Sequence, residues 1–271
     1  TLIFFVVLSI ILFAPIVMSR LRIPHIIGMV LAGIVVGRYG LNILERDSSF
    51  ELFGKVGLLY IMFLAGLEMN LTNLRKRKRQ FLVFGLLTFV IPFVLSYFVG
   101  LSLLGYSEIT SLLLACILSS NTLIAYPIVC KFGLQRHSSV TLSVGSSMIA
   151  LTLSLLILAA IVGSASGEGG ITFWVVFIVK VLAFCAGSSY VIPHLTRWFF
   201  NHYSDSVMLY IYIMCILFLS AAVSEFCGLE GIFGAFMAGL ILNRYIPSVS
   251  PLMNRIEFIG NALFIPYFLI G

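Results

Sequence analysis

The sequence predicts an all-α membrane protein with about ten transmembrane helices, and three observations support this fold class. Of the 271 residues, 61% are hydrophobic and 10% are charged, whereas soluble domains carry about 25% charged residues. The apolar residues form segments close to the roughly 20 residues that a helix needs to cross a bilayer core. Basic residues collect in alternate connections between these segments, as they do in membrane proteins. This composition excludes a soluble enzyme, a nucleic-acid-binding domain and a disordered chain.

Ten apolar segments have the composition of membrane-spanning helices. The second, third and ninth are short and rich in glycine, and the tenth is still apolar at Gly271. In chain order the segments are 2–18, 24–38, 53–69, 81–104, 109–132, 139–163, 172–195, 206–227, 229–246 and 256–271.

The basic residues predict how these segments are oriented. Connections after odd-numbered segments hold twelve of the sixteen Lys and Arg residues, five of them in the run 75–79, and connections after even-numbered segments hold three. The positive-inside rule then places the 75–79 loop in the cytoplasm and the N-terminus outside, in a multi-pass protein of the cell (inner) membrane. Because the basic run lies between two apolar segments, we interpret it as a topology signal and expect no nucleic-acid partner.

The fifth segment carries an unusual polar cluster at mid-membrane depth. Ser119, Ser120, Asn121 and Thr122 are consecutive, and Pro127 follows five residues later. Proline removes a backbone donor, and nearby polar side chains can satisfy the backbone groups that such a break frees. The pattern predicts a discontinuous helix that lines an ion pathway. The alternative is a proline kink with hydroxyl groups bonded back to the helix.

Two carboxylates near the ends of segments need separate interpretations. Glu68 closes the third segment seven residues before the basic run, and this position favours an interfacial carboxylate over a proton carrier. Glu225 lies near the end of the eighth segment, where partial burial would make it titratable. We therefore keep Glu225 as a further candidate site residue.

The sequence indicates neither an enzyme nor a cofactor. The five cysteines lie in apolar surroundings and form no C-x-x-C pair, which is typical of buried free thiols rather than metal ligands. The polar residues form no nucleophile–base pair, metal-ligand spacing or phosphate-binding loop. We expect no catalytic residues, no metal and no cofactor, and a lipid bilayer as the surrounding partner.

Three motifs resemble the monovalent cation:proton antiporter superfamily, in the branch of bacterial sodium/proton exchangers and potassium efflux proteins. The motifs are IPHIIG with AGIVVG at 23–37, FLAGLE at 63–68 and GIFGAFMAGL at 231–240. The resemblance runs over the whole chain in the same order. It implies an inverted-repeat antiporter fold, a homodimer, and exchange of Na⁺ or K⁺ for protons by a mobile core with two crossing discontinuous helices.

The resemblance also implies how the chain is divided. A single transporter domain would occupy 1–271, with the first core repeat at 81–163 and the dimer-forming or scaffold bundle mainly at 1–80 and 206–271. Family membrane domains have about twelve or thirteen spans, so we expect the domain to be incomplete at its C-terminus. By the same resemblance, the 119–122 cluster with Pro127 matches the first broken helix. Glu225 matches an acidic residue that is often found ahead of the glycine-rich motif at 231–240.

One departure from the family pattern concerns the ion-binding acid. The resemblance implies an Asp in the sixth segment, preceded by Asp, Asn, Thr or Gln. Ala150 and Leu151 occupy these two positions, followed by Thr152. An Asp binds a cation when ionised and carries a proton when protonated, whereas alanine and leucine do neither. The alternatives are a pseudo-transporter or regulatory membrane module without carboxylate-driven exchange, and a channel-like uniporter.

Overall fold

The computed structural model confirms an all-α architecture over the part of the chain that it describes. It describes residues 2–20, 25–37, 40–41, 48–69, 78–120, 126, 129, 132–134, 137–165, 171–247 and 250–270. The helices within these ranges are α1 (Leu2–Arg20), α2 (His25–Val36), α3 (Ser48–Glu68), α4 (Lys78–Ser102), α5 (Glu108–Ser119), α6 (Ser138–Ala165), α7 (Ile171–His202), α8 (Ser206–Phe226), α9 (Gly231–Leu242), α10 (Pro251–Ile259) and α11 (Ile265–Ile270). A π-helical turn, Gly260–Phe264, joins α10 to α11, so these two form the tenth predicted segment.

The helices differ in whether they can cross a bilayer alone. Among the described residues, α3, α4, α6, α7 and α8 contain windows long and apolar enough to span a membrane. The apolar parts of α1, α2, α5 and α9 are shorter. In α4 and α7 only 11% of the most apolar window is buried within the protein, so most of their apolar surface is available to lipid.

The helices α4, α5 and α6 pack against one another. Small residues allow this close approach: a Cβ added at Gly85 of α4 would lie 2.9 Å from Cδ1 of Ile149 on α6. A Cβ at Gly100 of α4 would lie 2.8 Å from the hydroxyl oxygen of Ser111 on α5. Glycine therefore brings both neighbours into direct contact with the α4 backbone.

A second group of helices surrounds α3, whose most extensive contacts are with α9, followed by α11 and the π-helical turn. The α3–α9 contact joins two of the sequence motifs through their glycines. A Cβ at Gly66 would lie 2.4 Å from the carbonyl oxygen of Phe236, and one at Gly239 would lie 2.2 Å from that of Phe63. These two backbones touch because neither glycine carries a side chain.

The tenth segment begins earlier than predicted and contains an unpredicted π-helical turn. Ser250 caps α10 by accepting a hydrogen bond from the Met253 N–H at 3.1 Å, which places the helix start at Pro251 rather than at 256. The buried Tyr60 of α3 holds the following turn. Its hydroxyl donates to the Ile256 carbonyl at 2.7 Å, and its ring stacks on Phe264 with centroids 5.2 Å apart.

Candidate functional site

The fifth segment is interrupted at the predicted polar cluster. Helix α5 contains 12 residues and ends at Ser119, so it rises about 18 Å and cannot cross a bilayer core of roughly 30 Å. Ser120 has an extended backbone with φ −77° and ψ 110°. The other predicted members of the cluster, Asn121, Thr122 and Pro127, lie outside the described residues. Helix α5 therefore ends where the sequence predicted a break.

The carbonyl oxygen of Cys116 is a hydrogen-bonding centre at the end of α5. It accepts from the Ser119 hydroxyl at 3.1 Å and from the Ser120 N–H at 3.2 Å. It also accepts from the Ser154 hydroxyl of α6 at 2.7 Å, which ties the end of α5 to the neighbouring helix. Ser119 and Ser154 are both buried. Since each hydroxyl uses its proton in this contact, its oxygen keeps lone pairs that can coordinate a cation.

We expect Ser154→Ala to loosen the α5–α6 contact. The substitution removes the hydrogen bond that joins the two helices, and it leaves the Cys116 carbonyl with its two local donors. A net loss of about 1 kcal/mol is typical for such a bond. The thermal unfolding midpoint of the purified protein in detergent should therefore fall by a few degrees.

A buried serine on the same helix provides the control for this experiment. Ser146 donates its hydroxyl hydrogen bond to the Ser143 carbonyl within α6, at 2.9 Å. Ser146→Ala therefore removes a buried hydroxyl without breaking a contact between helices. If Ser146→Ala lowers the unfolding midpoint as much as Ser154→Ala or more, the assigned role of Ser154 is contradicted.

The two positions where the family resemblance implied an acid are buried and apolar. Ala150 has no exposed surface and Leu151 is 4% exposed. Leu151 precedes Ser154 by three residues, so both side chains lie on one face of α6, the face that meets the end of α5. Thr152 is half-buried and its hydroxyl donates to the Met148 carbonyl at 2.8 Å within the helix. The two positions therefore provide buried aliphatic side chains rather than an acid, and Leu151 lies one helical turn from the Ser154 contact.

Glu68, the last residue of α3, is buried inside the protein. Its exposure is 7%, and its Oε2 accepts a hydrogen bond from the hydroxyl of Tyr126 at 2.6 Å. Tyr126 is also buried and lies in the interval between α5 and α6. The last residue of α3 is thus bonded directly to the interrupted fifth segment.

The backbone around Glu68 is fixed by an amide side chain from the end of α9. The Asn243 amide nitrogen donates to the Leu67 carbonyl and, at 3.0 Å, to the Met69 carbonyl. Helix ends leave carbonyl groups without intrahelical partners, and Asn243 satisfies those on either side of Glu68. These contacts hold the Glu68 backbone in one position.

Glu225 lies apart from this site. It forms an ion pair with Lys55, with a nitrogen–oxygen distance of 2.9 Å and side-chain exposures of 46% and 60%. Lys55 is thirteen residues before Glu68 on α3, a rise of about 20 Å. The pair therefore joins the first half of α3 to the end of α8, and Glu68 lies at the opposite end of α3.

The sequence interpretation missed Tyr126, Asn243 and the Cys116 carbonyl. It considered Glu68 but could not predict its burial, because this burial depends on α9 and on the segment after α5. The available signal was the FLAGLE motif itself, since its glycine brings α9 against the end of α3. No pattern of side chains could have identified the Cys116 carbonyl.

Comparison with known proteins identifies relatives over nearly the whole chain. Residues 7–271 match the family model described as sodium/hydrogen exchanger, transmembrane. The Na(+)/H(+) antiporter NhaS5 of Synechocystis sp. is 34% identical, and the match covers 99% of this chain and 38% of the relative. The probable Na(+)/H(+) antiporter 3 of Methanocaldococcus jannaschii is 29% identical, with 99% and 69% covered. The chain thus spans well under half the length of the first of these relatives.

Two further matches bear on the cation and on the fold. The Na(+)/H(+)-K(+) antiporter GerN of Bacillus cereus is 28% identical, over 93% of this chain and 65% of the relative. The solved sodium proton antiporter MjNhaP1 from Methanocaldococcus jannaschii has a TM-score of 0.69 and 18% identity, with 98% of this chain and 68% of that chain covered. This similarity confirms the predicted antiporter fold.

Proposed function

From the fact that this chain belongs to the sodium/hydrogen exchanger family, we propose that its parent protein exchanges a monovalent cation, Na⁺ or K⁺, for protons across a membrane. The observation that carries the proposal is the end of α5 at Ser119, inside an apolar region and beside α6. Relatives named as Na(+)/H(+) and Na(+)/H(+)-K(+) antiporters support the same exchange.

The proposed ion pathway follows the interrupted fifth segment. Its first oxygens are those of the Ser119 and Ser154 hydroxyls, which both donate to the Cys116 carbonyl at the end of α5. Ser120, Asn121 and Thr122 would continue the pathway towards Pro127. Oxygen ligands of this kind replace the hydration shell of an alkali cation. Of positions 150–152, Leu151 lies one helical turn before Ser154 and would pack beside this pathway.

The proposed organisation separates a core from a scaffold. The mutual packing of α4, α5 and α6 supports 81–163 as the first core repeat. The packing of α3 with α9 and α11, and of α2 with α1 and α11, supports 1–80 and 206–271 as the scaffold. We propose that this scaffold forms a homodimer in the cell membrane, with the N-terminus outside and the 75–79 loop in the cytoplasm.

Reconstituted full-length protein tests the exchange. Liposomes that contain a pH-sensitive dye should report proton movement when a Na⁺ or K⁺ gradient is imposed between pH 6 and 9. The direction of proton movement should reverse when the cation gradient is reversed, because the two fluxes are coupled. Absence of coupled flux with both cations over this range would contradict the proposal.

A pseudo-transporter or regulatory module is the second candidate, and the buried Ala150 and Leu151 favour it. The same liposomes separate the candidates, because a regulatory module gives no flux under any gradient. A channel-like uniporter would instead conduct the cation without a proton gradient. Electrical recording across the same membranes distinguishes that outcome from coupled exchange.

A further inference from the structure

Cation:proton exchange at one site needs a group that binds either ion. A carboxylate meets this need, because its ionised form pairs with a cation and its neutral form carries a proton. Ala150 and Leu151 leave the expected position without one. The exchange proposed above therefore requires an acid elsewhere in the membrane region, or it requires a different mechanism.

Among the acidic residues that the structure describes, Glu68 is the one with a buried side chain. The other described acids lie at exposed or half-buried positions. Burial of a carboxylate is unfavourable unless hydrogen bonds or a counter-charge stabilise it. Buried acids of this kind inside a membrane protein are a strong indication of a functional site.

The contacts of Glu68 connect it to the ion pathway. Tyr126, which donates to its carboxylate, follows Ser120 by six residues in the same interrupted segment. Tyr126 also packs in one apolar cluster with Val144 and Met148 of α6, and Met148 is two residues before Ala150. The carboxylate is therefore hydrogen-bonded to a residue of the fifth segment that follows the end of α5.

We propose that Glu68 is the carboxylate that exchanges a proton for a monovalent cation in this chain, an inference that rests on the function proposed above. The cation-bound carboxylate takes up one proton and releases one cation, and the reverse step completes the exchange. One positive charge moves in each direction, so no net charge crosses the membrane. Tyr126 is a positioning residue whose hydroxyl stabilises the ionised form.

Three described parts of the chain place polar or charged groups around Glu68. From the interrupted segment, Tyr126 contacts the carboxylate directly. From the end of α9, the uncharged Asn243 faces the adjoining backbone, and the neighbouring Arg244 is exposed. His137, at the start of α6, is exposed as well. Residues 70–77 lie outside the described part of the chain.

Transport by reconstituted full-length variants tests the proposal. Glu68→Gln should lower coupled flux to the level of protein-free liposomes, whereas Glu68→Asp should keep a measurable part of it. Tyr126→Phe should keep exchange but move its half-maximal pH upward by about one to two units, because a charge-assisted hydrogen bond no longer favours the ionised carboxylate. A purely structural role for Tyr126 would lower flux without moving this pH.

Glu51→Gln is the matched control, since Glu51 is an exposed acid in the first turn of the same helix. It should leave both the flux and its pH profile unchanged. If Glu68→Gln retains wild-type flux, the assignment of Glu68 is wrong and the proposed exchange stands. Should Glu68→Gln fail to give a monodisperse protein, Glu68→Asp and Tyr126→Phe decide the question through the pH profile.

Infrared difference spectroscopy tests the Glu68 assignment separately from the proposed exchange. Addition of Na⁺ or K⁺ at fixed pH to the purified protein should remove a protonated-carboxyl band, and this change should be absent in Glu68→Gln and present in Glu51→Gln. A Glu68-dependent change without any flux would support the site and contradict the exchange. If neither flux nor a band change is observed with either cation, the Glu68 assignment is overturned as well.

Discussion

Gly66→Ala and Gly239→Ala are each expected to remove most of the folded protein. The new methyl group would lie 2.4 Å from the Phe236 carbonyl oxygen in the first variant and 2.2 Å from the Phe63 carbonyl oxygen in the second. Backbone atoms cannot move aside as a flexible side chain can, so α3 and α9 must separate. Overpacking of a close contact costs about 1–3 kcal/mol, and a contact with backbone should reach or exceed the upper value.

Thermal unfolding of detergent-solubilised protein, monitored by size-exclusion chromatography, measures this loss of stability. Gly54→Ala is the matched control, because Gly54 lies in the same helix α3 and an added Cβ there meets nothing within 4 Å. It should be neutral or stabilise the protein by up to about 1 kcal/mol, since alanine favours the helix. Similar losses in Gly54→Ala and Gly66→Ala would show that the α3–α9 contact is unimportant.

The double variant Gly66→Ala/Gly239→Ala tests whether the two glycines serve one contact. Once either methyl group has separated α3 from α9, the second meets less resistance. The combined loss should therefore be clearly smaller than the sum of the single losses, as expected for neighbouring residues. Additive losses would indicate two independent contacts.

Much of the fold follows from the order of apolar segments. Ten segments predicted from apolarity and length correspond to the described helices in order, because lipid forces each backbone to satisfy its own hydrogen bonds within a helix. The α5 break was predictable for the same reason: four polar side chains at mid-membrane depth are expensive unless they have partners. The π-helical turn at Gly260–Phe264 was not predictable, because it depends on Tyr60 from a distant segment.

The candidate site was less accessible to sequence reasoning. Ser119 was identified through its polarity. Ser154, which donates to the same Cys116 carbonyl, lies in a segment where many hydroxyl groups serve helix packing. Glu68 acquires its burial from contacts with α9 and Tyr126, which are distant in the sequence. Every residue has a backbone carbonyl group, so only the tertiary structure shows that the Cys116 carbonyl joins α5 to α6.

Leu151→Asp is expected to create a stability loss that grows with pH. Leu151 is 4% exposed and shares a face of α6 with Ser154, so an ionised carboxylate there would lose most of its hydration. Below about pH 4 the new side chain is neutral in both the folded and the unfolded protein. As the pH rises, the unfolded chain ionises freely whereas burial penalises the ionised folded form, and stability falls.

Na⁺ or K⁺ should restore part of this stability at high pH. A bound cation neutralises the new carboxylate, and the Ser119 and Ser154 oxygens beside it supply further ligands. Leu151→Asn is the matched control, since it makes the same change in shape without a charge. Its loss, about 2–5 kcal/mol for a truncated buried leucine, should not depend on pH or on the cation. Unfolding midpoints measured at several pH values, with and without each cation, therefore decide whether the α5–α6 contact can still form an alkali-cation site. Identical behaviour of the Asp and Asn variants would mean that it cannot.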